Sequence, residues 1–105
     1  MSFRQFDVFI NSDPDTKESH PYLIVLQASV LNPIATCVVA PLVTSRKILF
    51  YDRLLPEVVV SGARYVIATP DLSAIPMTAV KSAVANLEEY RYQILGALDT
   101  MFMGI

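Results

Sequence analysis

Short apolar stretches alternate with polar breaks along most of the chain, and the period changes near residue 86. Over 3–10 (FRQFDVFI), Phe6, Val8 and Ile10 take one face and Gln5 and Asp7 the other, which predicts a half-buried strand. Phe3 and Phe9 share the polar face, so that face is expected to be covered locally. A polar loop with a Pro-Asp turn follows at 11–19 (NSDPDTKES). Tyr22 to Ala28 reads as a largely buried strand. Ile34 to Val43 reads as another, interrupted by Pro41; a proline cannot donate in a ladder, which predicts an edge or a bulge. Residues 44–54 mix basic and aromatic side chains and predict a connection with limited strand character. Pro56 introduces the clearest hairpin: Val58 to Val60, a turn at Ser61-Gly62, then Arg64 to Thr69, stopped by Pro70-Asp71. Residues 72–76 predict a short edge strand and 77–85 a turn or brief helix.

From Leu87 to Ile105 the spacing becomes helical. Asn86 is placed as an N-cap, with Glu89 completing a capping box and Glu88 favouring the positive end of the dipole. At about 100° per residue, Leu87, Ile94, Leu98, Met101 and Ile105 form one stripe, with Tyr90, Leu95 and Phe102 at its margins. Glu88, Tyr92, Gly96, Asp99 and Met103 lie opposite. An amphipathic helix packed on a sheet accounts for most of these positions, but not for Met103, an apolar side chain turned toward solvent or a partner. The whole pattern predicts a single domain over 1–105, mainly β: a small antiparallel barrel-like sheet with one C-terminal α-helix packed on it.

At 53% hydrophobic, 17% charged and mean hydropathy +0.45, the 105-residue chain is too apolar for disorder, and the excess predicts an interface, hence a homodimer. No apolar run reaches the length of a membrane span and MSFRQFDVF lacks signal-peptide regions, which predicts a cytoplasmic protein. A net charge of −2 and a pI near 5.1 argue against a nucleic-acid footprint. His20 is the only histidine and precedes a proline, so it reads as a strand-end residue rather than a general base. Cys37, the sole cysteine, sits in an apolar run and reads as a buried thiol. Asp13 and Asp15 lack further oxygen ligands at calcium-loop spacing, and one His with one Cys builds no metal site. Glycines 62, 96 and 104 are too scattered for a phosphate loop, so no cofactor is expected. Val30 and Leu31, in a turn closed by Asn32-Pro33, either plug a barrel end or face a partner. Residue chemistry alone points to a binding module with an apolar surface, not an enzyme.

A family resemblance is carried by Ser2-Phe3, Leu26-Gln27 through Val30-Leu31 to Pro33, Val39-Ala40-Pro41-Leu42 with Arg46, Leu55-Pro56, Thr69, Asp71, and Ala74-Ile75-Pro76. Its most specific part is the end, Met101-Phe102-Met103-Gly104-Ile105. The chain resembles the CcdB toxins over nearly its whole length, with an expanded loop near 11–19. The resemblance implies an SH3-like barrel of the CcdB/MazF toxin type, dimeric across the terminal helix through Leu98, Met101, Phe102 and Ile105. It implies a type II toxin, plasmid- or chromosome-borne, that binds the DNA gyrase A subunit, traps the gyrase–cleaved DNA complex and is neutralised by a CcdA-like antitoxin. DNA would be met only indirectly, through the autoregulatory toxin–antitoxin complex. Carried over by position, Val30, Leu31, Asp99, Phe102, Met103, Gly104 and Ile105 would contact gyrase. Arg46, Lys47 and Arg53, with the mobile loop 11–19, would dock an acidic antitoxin segment. Two positions depart from the family: tryptophan stands where this chain has Met103, and asparagine where it has Asp99. A MazF-like endoribonuclease and a non-toxic relative that dimerises and binds antitoxin only are the alternatives; the acidic pI and sole histidine speak against the first.

Overall fold

A computed structural model describes residues 3–29, 35–44 and 53–104. Among the described residues, seven strands, β1 (Asp7–Ile10), β2 (Tyr22–Val25), β3 (Thr36–Thr44), β4 (Glu57–Val60), β5 (Ala63–Ile67), β6 (Ser73–Pro76) and β7 (Ala85–Asn86), precede one α-helix, α1 (Arg91–Met103). All pairings are antiparallel, in the order β4-β5-β3-β2-β1-β7, with β6 also on β3. The result is a nearly closed, barrel-like sheet with a C-terminal helix. Where the two ends of the sheet approach, the Val59 amide on β4 donates to the Tyr90 hydroxyl, 3.2 Å away, just before α1.

Both faces of the sheet are covered, which explains the continuous apolar runs in β2 and β3. Along β3, Ala40 and Leu42 point into the main core with Phe6, Val8, Ile24, Leu26, Val58, Val60, Ile67, Leu87 and Ile94. Cys37 and Val39 alternate to the other face, where Phe3, Phe9, Val25 and Val80 form a second core. Phe3 and Phe9, which broke the polar face of the first strand in the sequence, therefore belong to this second core. Ile10 departs from expectation: it shares the face of Val8 but overruns the main core and is 56% exposed.

Pro41 is not at an edge. It sits inside the longest strand, opposite Leu23 of β2, and its carbonyl accepts the Ala68 amide at 2.9 Å. Its missing N–H faces the same side, where β5 has ended and β6 has not begun. There the chain leaves β3 in a short 3₁₀ turn, Thr69–Asp71, closed by Asp71 N–H to Ala68 O and Leu72 N–H to Thr69 O. The proline thus falls where no donor is required. The hairpin forms as expected, with Ser61 and Gly62 both at positive φ, the geometry that matches strand twist in a two-residue turn.

The loop at 11–19 is a compact turn closed by its own hydrogen bonds. Asn11, buried at its base, donates to Thr16 Oγ1 (2.9 Å) and His20 O (2.8 Å) and accepts from the Asp13 amide. The Asp13 carboxylate accepts the Asp15 amide, so it serves the turn. The helix also begins later than its spacing predicts. Asn86 Oδ1 accepts the Glu88 amide at 2.9 Å and opens a 3₁₀ turn, Glu88–Tyr90, before α1 starts at Arg91. No capping box forms, because the residues after Asn86 take up a 3₁₀ turn rather than the first turn of an α-helix; the Asn86 Nδ2 donates to Gln5 O and to the Asp7 carboxylate. Removing the Tyr90 hydroxyl (Tyr90→Phe) is expected to lower stability by about 0.5–1 kcal/mol in urea unfolding. Faster hydrogen exchange at Val59 should accompany it; unchanged exchange would show that water substitutes for the hydroxyl.

Candidate functional site

Helix α1 is anchored at its start and runs off the sheet at its end. Ile94 and Ala97 are buried, Leu98 and Met101 on the same stripe are half-buried, and Phe102 is 69% exposed. The apolar stripe of the helix continues into its last turn, where burial gives way to exposure. The opposite positions, Glu88, Tyr92, Gly96, Asp99 and Met103, are all exposed, as their spacing predicts. Tyr92 is 86% exposed and Met103 68%. Gly104 closes the helix at φ 71°, in the left-handed cap conformation that glycine adopts without strain, and its amide bonds to Thr100 O at 2.9 Å.

A groove of about 700 Å³ runs along this helix, lined by Arg53, Pro56, Gln93, Gly96, Asp99, Thr100 and Met103. Its size is that of a ligand pocket, and its floor is low because Gly96 carries no side chain: a Cβ there would meet no atom within 4 Å. Asp99 and Met103 from the helix thus share one depression with Arg53, a residue assigned above to a different partner. Arg53 and Asp99 form no ion pair within the described residues. Glu88 by contrast is paired with Arg91 at 3.3 Å, and the Arg91 guanidinium lies 5.5 Å from the centre of the Phe6 ring. Val30, Leu31, Arg46, Lys47 and Ile105 lie outside the described residues.

Sequence reasoning missed Gln93, Thr100 and Pro56 as groove residues. Gln93 was readable as a helix-surface neighbour of Gly96, and Thr100 as one of Met103; Pro56 is brought there only by the fold. Beneath the 11–19 loop lies a smaller depression of about 240 Å³ with His20 and Asp71 among its walls. The His20 ring pairs with its neighbour Ser19 (Oγ to Nδ1, 2.6 Å), a local contact at the strand end. Cys37 is fully buried, and burial raises its thiol pKa above the ordinary value. No group of three or more His, Cys, Asp or Glu among the described residues could hold a metal, and no helix among them is long and apolar enough to cross a membrane.

The molecule is thus a small antiparallel barrel with an exposed helix end beside an open groove. The chain belongs to the CcdB family: the family model described as CcdB protein matches residues 5–104, almost the whole chain. That family places it among the toxins of toxin–antitoxin systems. A search of curated proteins finds none that matches the chain.

Gly96→Ala is expected to stabilise the isolated protein by about 0.5–1 kcal/mol, because it lies mid-helix over open space. A melting temperature several degrees higher, roughly 4–8 °C per kcal/mol, is the readout. Cys37 should resist a thiol reagent under native conditions and react at the rate of unfolding; prompt reaction at neutral pH would mean that the second core opens readily.

Proposed function

We propose that this protein is the toxin of a type II toxin–antitoxin module that binds the DNA gyrase A subunit and traps the gyrase–cleaved DNA complex. The observation that carries the reading is the overhanging end of α1. Phe102 and Met103 are largely exposed beside Gly104; the resemblance implies that Phe102 and Gly104 match the family's gyrase-contacting tail, with Met103 standing where the family has tryptophan. In a homodimer joined across Leu98, Met101, Phe102 and Ile105, the half-buried stripe would be covered while Asp99 and Met103 stayed accessible. Gly104 would permit close backbone approach and Met103 would serve as a flexible apolar contact. A CcdA-like antitoxin would dock through Arg46, Lys47 and Arg53, aided by the loop at 11–19. Arg53 shares a groove with Asp99 and Met103, so the antitoxin and the gyrase A subunit would compete for that groove.

A second reading, a relative that dimerises and binds antitoxin but poisons nothing, is favoured by the two departures from the family. Met103 offers no aromatic plane, a loss of about 0.5–2 kcal/mol if that plane stacks on a cation, and Asp99 adds a charge beside it. Induced expression, with gyrase-dependent DNA cleavage as a second readout, separates the two. The wild type should arrest growth, Met103→Trp should do so more strongly, and deletion of Gly104 and Ile105 should abolish both effects. A harmless wild type with a toxic Met103→Trp variant would establish the second reading. If both are harmless and neither binds the gyrase A subunit, the gyrase assignment fails. Reversing the charge of Arg53 together with Lys47 should slow association with the antitoxin and weaken its salt dependence.

A further inference from the structure

We infer that Met103 is an oxidation site: a peroxide converts its thioether to the sulfoxide and so lowers the affinity of the helix tip for its target without unfolding the protein. The loss of affinity rests on the gyrase reading above; the oxidation itself does not. Access to sulfur carries the first half. The chain has one cysteine and four methionines. Cys37 is fully buried and burial raises its thiol pKa, so it offers a peroxide neither access nor thiolate. Met77 is half-buried against the second core, and Met101 is half-buried on the stripe that α1 turns to the sheet. Met103 is 68% exposed and lines the open groove. Among the described residues it is therefore the sulfur most open to attack. Tryptophan, which the resemblance places at this position in the family, has no thioether, so the device belongs to this chain.

The step is a two-electron oxygen transfer. A lone pair of the Met103 sulfur attacks one oxygen of hydrogen peroxide, the O–O bond breaks as the S–O bond forms, and the second oxygen leaves with both protons as water. The fold tolerates the product. The Gly104 amide caps the helix on Thr100 O without help from the Met103 side chain, and the buried residues of α1, Ile94 and Ala97, lie in its first two turns. Leu98 and Met101, half-buried positions that the proposed dimer covers, lie on a different side of the helix at about 100° per residue, so the modification leaves that contact alone. In the free protein the sulfoxide oxygen stays in water and keeps its hydrogen bonds. At a target contact it replaces a soft apolar surface with an acceptor, and burying that acceptor without a donor weakens the complex. Methionine sulfoxide reductases restore the thioether, which makes the change reversible.

The test treats the full chain with hydrogen peroxide and maps the oxygen gained by each methionine, with fragmentation of the terminal peptide to separate Met101 from Met103. Met103 should be converted several-fold faster than Met77 and Met101, and the urea unfolding midpoint should not move. Affinity for purified gyrase A subunit, measured against the untreated sample, should fall about tenfold and return after incubation with the two sulfoxide reductases, one for each epimer. Met103→Leu, measured against its own untreated sample, should lose nothing on the same treatment. Conversion of Met77 or Met101 as fast as Met103 would overturn the site. Selective conversion of Met103 with undiminished binding, or a Met103→Leu variant that loses binding as the wild type does, would overturn the switch. An untreated wild type that does not bind overturns the gyrase reading and the switch together, while the peptide map still decides the oxidation site.

Discussion

The backbone at Phe6 holds the two ends of this chain together. Its φ of 71° is rare for a residue with a bulky side chain and costs about 1–3 kcal/mol. That strain is offset on three sides. Its amide donates to Val25 O, its carbonyl accepts the Leu87 amide, and its ring is fully buried, a burial worth about 2–3 kcal/mol. Arg91, in the first turn of α1, stacks on that ring, and Asn86 ties the same region to Gln5 and Asp7. The helix therefore takes its direction from residues some eighty positions earlier in the chain. A direction fixed at the first turn determines where the last turn, with Phe102 and Met103, emerges from the sheet.

Much of this was legible in local patterns. The hairpin at 57–67, the half-buried first strand, the edge strand at 73–76 and the inward and outward faces of α1 follow from period and turn chemistry, which act over a few residues. The failures share a different origin. Pro41 was read as an edge or a bulge because its donor is missing; which of the two depends on what lies beside the strand, and the answer, an interruption between β5 and β6, sits near Thr69–Asp71. Asn86 was read as the cap of a helix beginning at once, yet the backbone it caps is a 3₁₀ turn and α1 starts only at Arg91. The polarity of 11–19 indicated a loop without indicating that buried Asn11 would hold it compact.

The candidate site divides in the same way. The exposure of Asp99 and Met103 was readable from helical spacing, because a single element determines it, whereas that of Phe102, read at the margin of the core stripe, was not. The groove was not, since Arg53 and Pro56 come from a segment some forty residues away. Arg53 and Asp99 line the same depression, which therefore offers both charges beside its apolar surface. A ligand there must satisfy both, a stricter requirement than apolar fit alone.

Pro41 also acts as a counter of residues during sheet assembly. A slip of β3 by one position would turn its core-facing side chains, Ala40 and Leu42, to the other face and is excluded by burial. A slip by two keeps the faces correct, and hydrophobicity alone would tolerate it. It would, however, carry the proline ring out of the gap opposite Thr69–Asp71 and into the ladder with β5 or β6, leaving a carbonyl there without its donor. One residue that cannot hydrogen-bond thereby discriminates between registers that every apolar side chain in the strand would accept.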